Sequence, residues 1–465
     1  MKDKFSIYAL RDLVCGINTK VPLVNGNYVT PINFDNAATT PPFDCVLKEI
    51  MDFAPWYASI HRGAGYKSNL SSQVFDKSRK IIADFVGCEL DKNSIIFVKN
   101  TTEAINKLAF RLCSCDKKCI VLSTGMEHHS NDLPWRNKYH IEYIDTDDLG
   151  RLCLEDLEEK LSNYAGAVKL VTVTGASNAT GYINPIHEIA KITHKYGAKI
   201  LVDAAQLAPH KKIDMKTNTS DDHIDFLAFS AHKMYAPFGI GVLIGPNEIF
   251  SMGYPDYSGG GTVQVVTPDY VLWDTPPEKE EAGTPNLMGI IALISSIKML
   301  NTIGLELIEK NELELTNYAL NQLSSLKDIE LYTTLDKNTP RVGIIPFNIK
   351  NMPHSITAKI LSYDAGISVR NGCFCAQPYL QKILGITPST ILDFLSSNKL
   401  PTYGVVRASF GLYNMKEEVD ILCNVLEYIV KNKDAYLQKY TPTVYDKEES
   451  PLTLNGYSNE YNPKK

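Results

Sequence analysis

Cysteine is scarce, with 10 residues in a chain of 465. That is too sparse for a disulfide scaffold, and it points to a reducing compartment. Long apolar runs are missing too. The nearest, 289–300, contains Lys298 and falls short of the 18 or so residues that a membrane span needs. The opening stretch MKDKFSIYALRDLVCG has charges where a secretory leader needs its apolar core. A cytoplasmic protein without membrane contact is therefore expected. Positive charge is not in excess: 47 Lys+Arg stand against 53 Asp+Glu, a net charge of −6. A globally basic surface is absent, and no nucleic-acid partner is expected. Internal repeats are absent as well.

What is present suits a globular fold. Hydrophobic residues make up 44% and charged residues 22%, too apolar for general disorder. A chain this long can hide roughly three-quarters of its extended surface, and at roughly 150 residues per domain it should form two or three domains. VKLVTVT at 168–174, a polar turn, helical spacing over 185–196 and KILVDA at 199–204 read as strand, crossover helix and strand, which implies a parallel sheet. SIIFVK at 94–99 reads as another strand, followed by a helix over 103–112 capped by Thr101 or Thr102. Further strands are expected at 119–123, 226–229 and 241–244. From 286 the style changes to long helices over 286–300 and 306–326, strands at 342–347 and 366–370, and a helix over 417–431. The charge run PEKEE at 277–281 reads as a solvated face.

The strongest chemical signal is SAHKMYAPFGIG at 230–241, which places Lys233 directly after a strand. Thirty residues earlier, Asp203 ends the buried strand in LVDAAQ. Ligands of open parallel sheets bind at the carboxyl ends of strands, so both elements should face one crevice. A lysine and a carboxylate there are what pyridoxal phosphate (PLP) requires: the amine forms the Schiff base, and the carboxylate keeps the pyridine nitrogen protonated. Taken singly, Lys233 is an ordinary surface lysine and Asp203 a strand-end cap. Their joint placement carries the reading.

Several separated motifs strengthen it: NFDNAATTPP at 33–42, VKNTTEAIN at 98–106, MEHHSNDLPW at 126–135, ASNATG at 176–181, GGGT at 259–262, EAGTPN at 281–286 and VRASFGLYN at 406–414. With VDAAQ and SAHKMYAPFGIG, this set over roughly residues 30–435 resembles the class V aminotransferases of PLP fold type I, specifically their cysteine desulfurase/selenocysteine lyase branch. The resemblance implies an α/β, aspartate aminotransferase-like fold: an N-terminal segment (1–33) packing with the small domain, a large PLP-binding domain (34–298) with a mainly parallel sheet, a small α+β domain (299–438) and a polar tail (439–465). It implies phosphate contacts from Thr101, Thr102, Ser230 and His232. It makes Gln206 the ligand of the phenolic oxygen, and His128 the residue stacked on the ring and a proton shuttle titrating near neutral pH. The alternative for His128 is a structural partner of His129. Asn178 and Arg407 are implied as substrate carboxylate ligands, Arg because its planar fork binds two oxygens; a surface salt bridge is the bland alternative. Thr284, Gly259–Gly261 and Arg62 are implied at a cleft shared across a homodimer.

SVRNGCFCAQPYL at 368–380 decides the reaction. Cys375 stands where the resembled branch keeps its nucleophile, with Arg370 nearby to favour the thiolate or to contact substrate. Cys373 is a departure from the pattern. In an extended loop, residues two apart face the same side, so both thiols would face the cavity and Cys373 would be a second acceptor, a resolving thiol or a metal partner. Otherwise both are small fillers. LCSCDKKC at 112–119 holds Cys113, Cys115 and Cys119, but no second pair completes four zinc ligands. No metal is expected there or elsewhere. The expected activity is a PLP-dependent cysteine desulfurase that turns L-cysteine into L-alanine and a persulfide on Cys375, with a sulfur-acceptor protein as partner. The alternatives are another class V reaction (epimerase, lyase or transaminase) on a different amino acid, or a non-catalytic sulfur carrier that kept the fold.

Overall fold

A computed structural model describes residues 6–112, 119–397 and 402–441. Its centre is a seven-stranded sheet of β1 (Asn93–Val98), β2 (Ile120–Thr124), β3 (His140–Ile144), β4 (Val168–Thr174), β5 (Lys199–Asp203), β6 (Phe226–Ser230) and β7 (Gly241–Pro246). The order is β1-β7-β6-β5-β4-β2-β3. Neighbours from β6 across to β3 are parallel, and β7 runs antiparallel to both β6 and β1. Runs such as FLAFS and VKLVTVT are almost wholly buried, as strands covered on both faces require. The covering helices include α1 (Tyr66–Val86), α2 (Thr101–Leu112), α3 (Ile186–Lys195) and α4 (Leu287–Ile303). Helix α4 explains the apolar run at 289–300: it is buried nearly all round, packed on α1. No single helix among the described residues is long and apolar enough to cross a membrane.

Strands β8 (Val263–Val266) and β9 (Val271–Trp273) form an antiparallel hairpin apart from this sheet. A second core lies under an antiparallel sheet of β10 (Ile329–Leu331), β11 (Ile344–Ile349), β12 (Arg370–Gly372) and β13 (Val405–Ser409), ordered β10-β11-β13-β12. Phe34, Phe347, Leu361, Phe410 and Leu426 pack there, with side chains from α5 (Leu305–Ser325), α6 (His354–Ala365) and α7 (Lys416–Lys431). The strand expected over 366–370 is two pieces. Ile367–Ser368 pairs with Ile32–Asn33, and the chain then switches sheets so that β12 joins β13. The N-terminal segment reaches both cores: Ile32 packs in the smaller one, while Leu10 and Val14 pack in the larger. A final helix, α8 (Lys433–Tyr440), extends into the stretch expected to be a tail, and Lys439 Nζ and Tyr440 Oη both reach Asp364, each at 2.7 Å. Residues 442–465 lie outside the described residues, as do Cys113 and Cys115; Cys119 is buried just before β2.

The charge run at 277–281 is not a solvated face. Lys279 is buried and donates to the carbonyl oxygens of Phe250, Ser251 and Met252 at 3.2, 2.9 and 3.0 Å. Glu280 is buried against Lys107 and Arg111 of α2. Glu281 takes Arg79 of α1 at 2.8 Å and the Phe97 N–H at 2.7 Å. Burial pushes the Glu281 carboxyl up to about 7, against the pull of Arg79. The basic partners lie some 170–200 residues away in the sequence, so local patterning had no means of showing them.

Sheet register decides what meets at the carboxyl edge. Gly241 pairs with Ser230 on one side and with Val98 on the other. A Cβ at Gly241 would stand 2.8 Å from Asn100 Cα and 3.0 Å from the Phe229 carbonyl oxygen, backbone atoms that cannot swing aside. Gly241→Ala is expected to destabilise the chain by about 1–3 kcal/mol through overpacking. Urea unfolding of the two proteins checks this; an unchanged midpoint would refute the close-approach account.

Candidate active site

Three strand ends and one helix start converge beside Gly241. Strand β5 ends at Asp203, β6 ends at Ser230, and a short turn then presents His232 and Lys233. Strand β1 leads through Asn100 into α2. The cap of α2 is Asn100 and not Thr101 or Thr102: its Oδ1 accepts the Glu103 N–H at 3.0 Å, while Glu103 reaches back to the Lys99 N–H at 2.5 Å. Asn-x-x-Glu is a legible capping signal, and Asn100 joins the cavity lining because of it. Thr101 is thereby free to bind across the sheet, its N–H and hydroxyl meeting Ser230 Oγ at 2.8 and 2.7 Å. The Lys233 turn is tied down by the N-terminal motif: Thr39 Oγ1, Thr40 N–H and Thr40 Oγ1 all donate to the His232 carbonyl oxygen.

The result is a cavity of about 230 Å³ that gathers Thr101, Thr102, His128, Asn178, Asp203, Gln206, Ser230, His232, Lys233, Arg370, Cys375 and Arg407. Burial pushes the Lys233 ammonium down to about 8; Asp203 opposes that shift and Arg407 adds to it. Burial raises the Asp203 carboxyl, countered by the Ala205 N–H at 2.9 Å and by Lys233. His128 is brought to about 4 by burial, with Lys233, His129 and Arg407 pushing the same way. It is therefore neutral at pH 7, in contrast to the near-neutral titration expected from sequence. The Ser130 N–H donates to His128 Nδ1 at 3.0 Å, which leaves the ring proton on Nε2. Ser130 also holds Thr102 Oγ1 at 2.7 Å. The preceding residue, Glu127, is buried and accepts from Thr124 Oγ1, Asn131 Nδ2 and the Thr174 N–H. Neither Ser130 nor Glu127 stood out by pattern, since each works through tertiary neighbours.

A second arm comes from the smaller core. Arg407 is buried on β13, where Nη1 donates to the Asn178 carbonyl oxygen at 2.7 Å and Nη2 meets Asp35 Oδ1 at 3.2 Å. Its guanidinium lies over the Phe374 ring, 4.7 Å from the centroid. Arg370 meets the other Asp35 oxygen at 3.5 Å. Asn178 Nδ2 donates to the Phe374 carbonyl oxygen at 2.7 Å, and the His129 N–H donates to that of Cys375 at 2.6 Å. Phe374 and Cys375 both hold left-handed backbone conformations, φ 51° and 55°. Two such residues in a row are strained, and the surrounding hydrogen bonds hold them. This turn overrides the extended loop expected at 373–375. Cys375 is exposed in the cavity, whereas Cys373 is half-buried outside its lining, with Sγ 3.5 Å from the Tyr403 carbonyl oxygen.

Thr284, Gly259–Gly261 and Arg62 do not line this cavity. Thr284 and Arg62 are exposed, and the Gly283 N–H donates to the Gly260 carbonyl oxygen at 2.8 Å, so the two loops form one surface patch. Within the cavity, Gln206 Oε1 and Arg407 Nε are buried without a hydrogen-bond partner. Orphaned polar atoms of this kind call for a ligand. The helix start with Ser230 and His232 suits a phosphate, Asp203 suits a cationic ring nitrogen, and Lys233 suits an aldehyde. A lysine held near 8 should be modified as its free amine at a rate that climbs through that pH, about two units earlier than an exposed lysine. Peptide mass spectrometry after reductive methylation of cofactor-free protein, across pH 6–11, measures this; a midpoint above 10 would contradict the burial argument.

The model of the family described as aminotransferase class-V matches residues 32–422. A cysteine desulfurase of Haloferax volcanii is 32% identical over 421 residues, covering 89% of this chain and 92% of its own. Among solved structures, the apo cysteine desulfurase of Thermococcus onnurineus superposes with a TM-score of 0.77 at 36% identity, covering 86% of this chain and 95% of that one. The Escherichia coli cysteine desulfurase CsdA reaches the same TM-score at 25% identity, covering 92% and 99%. The fold expected from sequence, PLP fold type I around a mainly parallel sheet, is the fold of these neighbours. With the motif order, the strand-end lysine and carboxylate, and a match over most of its length, the chain belongs to the class V aminotransferase family.

Proposed function

We propose that this chain is a PLP-dependent cysteine desulfurase that converts L-cysteine to L-alanine and leaves a persulfide on Cys375. The observation that carries the reading is the accessible Cys375 thiol in the same cavity as Lys233, Asp203 and Arg407. PLP, when bound, would supply an electron-poor ring that stabilises charge developing at Cα. Thr101, Thr102, Ser230 and His232 would hold its phosphate, Gln206 its phenolic oxygen, and Asp203 its ring nitrogen. His128, neutral, would pack against the ring and not act as a cationic acid. Arg407, with Asn178 and Arg370 beside it, binds the substrate carboxylate. Lys233 Nζ, whose free amine is well populated near pH 8, takes the Cα proton. Cys375 Sγ attacks the substrate sulfur: an S–S bond forms, the Cβ–S bond breaks, and its electron pair leaves with the carbon side, which is protonated to alanine.

The exposed loop position of Cys375 suits hand-over of the sulfur to an acceptor protein. The exposed apolar hairpin (Val265, Val266, Val271 and Leu272) is an edge that a second copy covers, bringing Thr284 and Arg62 to the partner's cavity. In this reading residues 34–298 form the cofactor domain and 299–438 the small domain. The setting is the cytoplasm.

Cys375→Ser is expected to keep the visible absorbance of the cofactor-loaded protein while alanine and persulfide formation fall by roughly 10²-fold or more. Product analysis with L-cysteine under reducing conditions checks this; native-rate desulfuration by the variant would sink the nucleophile assignment. Asp203→Ala should weaken both cofactor retention and turnover, read by absorbance after dialysis and by alanine release. Sedimentation of the holoenzyme at micromolar concentration should give the dimer mass; a monomer that is fully active would overturn the shared site.

A further inference from the structure

A second cluster lies at the other end of the same strands. Lys199 opens β5 and Asp203 closes it, and Asp225 immediately precedes β6, which closes at Ser230. Four residue steps along β5 separate its two ends by about 13 Å. At the far end, His194 from the last turn of α3, His223 from the loop between β5 and β6, and Asp225 bring one ligand atom each within 4.8 Å of one another. We propose that His194, His223 and Asp225 form a binding site for one divalent transition-metal ion, with zinc the best-matched chemistry. This site is separate from the desulfurase cavity and does not rest on that reading.

The hydrogen-bond pattern carries the inference. His194 Nδ1 lies 2.8 Å from the Asp221 carbonyl oxygen, and His223 Nδ1 lies 2.5 Å from that of Ser220. A carbonyl has no proton to give, so each Nδ1 carries the hydrogen. Each Nε2 points at Asp225: His194 Nε2 is 2.9 Å from Oδ2, and His223 Nε2 is 3.6 Å from Oδ1. Each of these contacts needs a cation, either a ring proton or a metal ion that takes its place. Backbone carbonyls orienting the far nitrogen of each imidazole are the usual outer support of a metal-binding histidine. The rings are also stacked, 4.3 Å between centroids, so the two imidazoles sit side by side at the carboxylate.

The carboxylate is anchored for the task. Asp225 is buried, and its Oδ2 accepts the Ile200 N–H at 2.9 Å. Its other oxygen meets Lys199 Nζ at 3.0 Å. Lys199 supplies there part of the positive charge that an ion would bring, and its flexible stem lets it withdraw. The cluster opens onto a cleft of about 620 Å³ rimmed by Asp91 and Glu248, which admits an ion and leaves its remaining position to water. Two imidazoles and one carboxylate match zinc, as tetrahedral N/O sites with an open position do. Bound there, the ion ties the end of α3 to the loop before β6.

The test uses the cofactor-loaded, full-length protein, stripped with chelator and titrated with Zn²⁺ and, anaerobically, with Co²⁺. His223→Gln and His194→Gln, each shown folded by circular dichroism, should bind one equivalent fewer than the parent. They should also lose the rise in Tm that Zn²⁺ gives the parent. Lys199→Met should bind several-fold more tightly, because it removes the competing ammonium. Co²⁺ at this site should give weak visible bands without the near-ultraviolet charge-transfer band of thiolate ligation. Desulfuration by His223→Gln should match the parent. Equal stoichiometry and equal thermal shift in parent and both histidine variants, or a cobalt spectrum showing only thiolate ligation, would overturn the proposal.

Discussion

Burial of an amine and a carboxylate in one cavity is the constraint on which the rest of the site depends. Each group is costly to desolvate alone, and each limits the other's shift. Lys233 and Asp203 arrive from adjacent parallel strands, β6 and β5, so their proximity is a property of sheet register and not of loop flexibility. Burial, with a further push from the same lysine, keeps His128 and His232 neutral.

A second device joins the two cores. Asp35, just after the N-terminal crossing strand, holds Arg407 with one oxygen and Arg370 with the other. Arg407 in turn holds the Asn178 carbonyl from the large sheet's loop, and Asn178 holds the strained Phe374–Cys375 turn. The thiol is thus positioned by a chain of polar contacts that begins in the opening motif. In a low-dielectric interior such contacts are directional and strong, which is how a left-handed backbone pair persists.

Much of this was legible in advance for a definite reason. Strands covered on both faces leave continuous apolar runs, so β4, β5 and β6 announced themselves, and motif order placed Asp203, Gln206 and Lys233 on one edge. Where prediction missed, long-range partners had intervened. Lys279, Glu280 and Glu281 read as solvated because Arg79, Lys107 and Arg111 are remote in sequence. Cys373 read as a cavity thiol because the turn at 374–375 is imposed by Asn178 and His129, not by any local turn residue. Asn100 was within reach through its capping pattern with Glu103.

The amino-acid sequence by itself determined the sheet-forming runs, the family motifs and the identity of the chemical groups, because apolar periodicity and residue type are local properties. Only the tertiary structure decided which groups are desolvated, which thiol faces the cavity and which carboxylates are paired. Those outcomes depend on dielectric surroundings and on distances between residues hundreds of positions apart, and no local pattern encodes either.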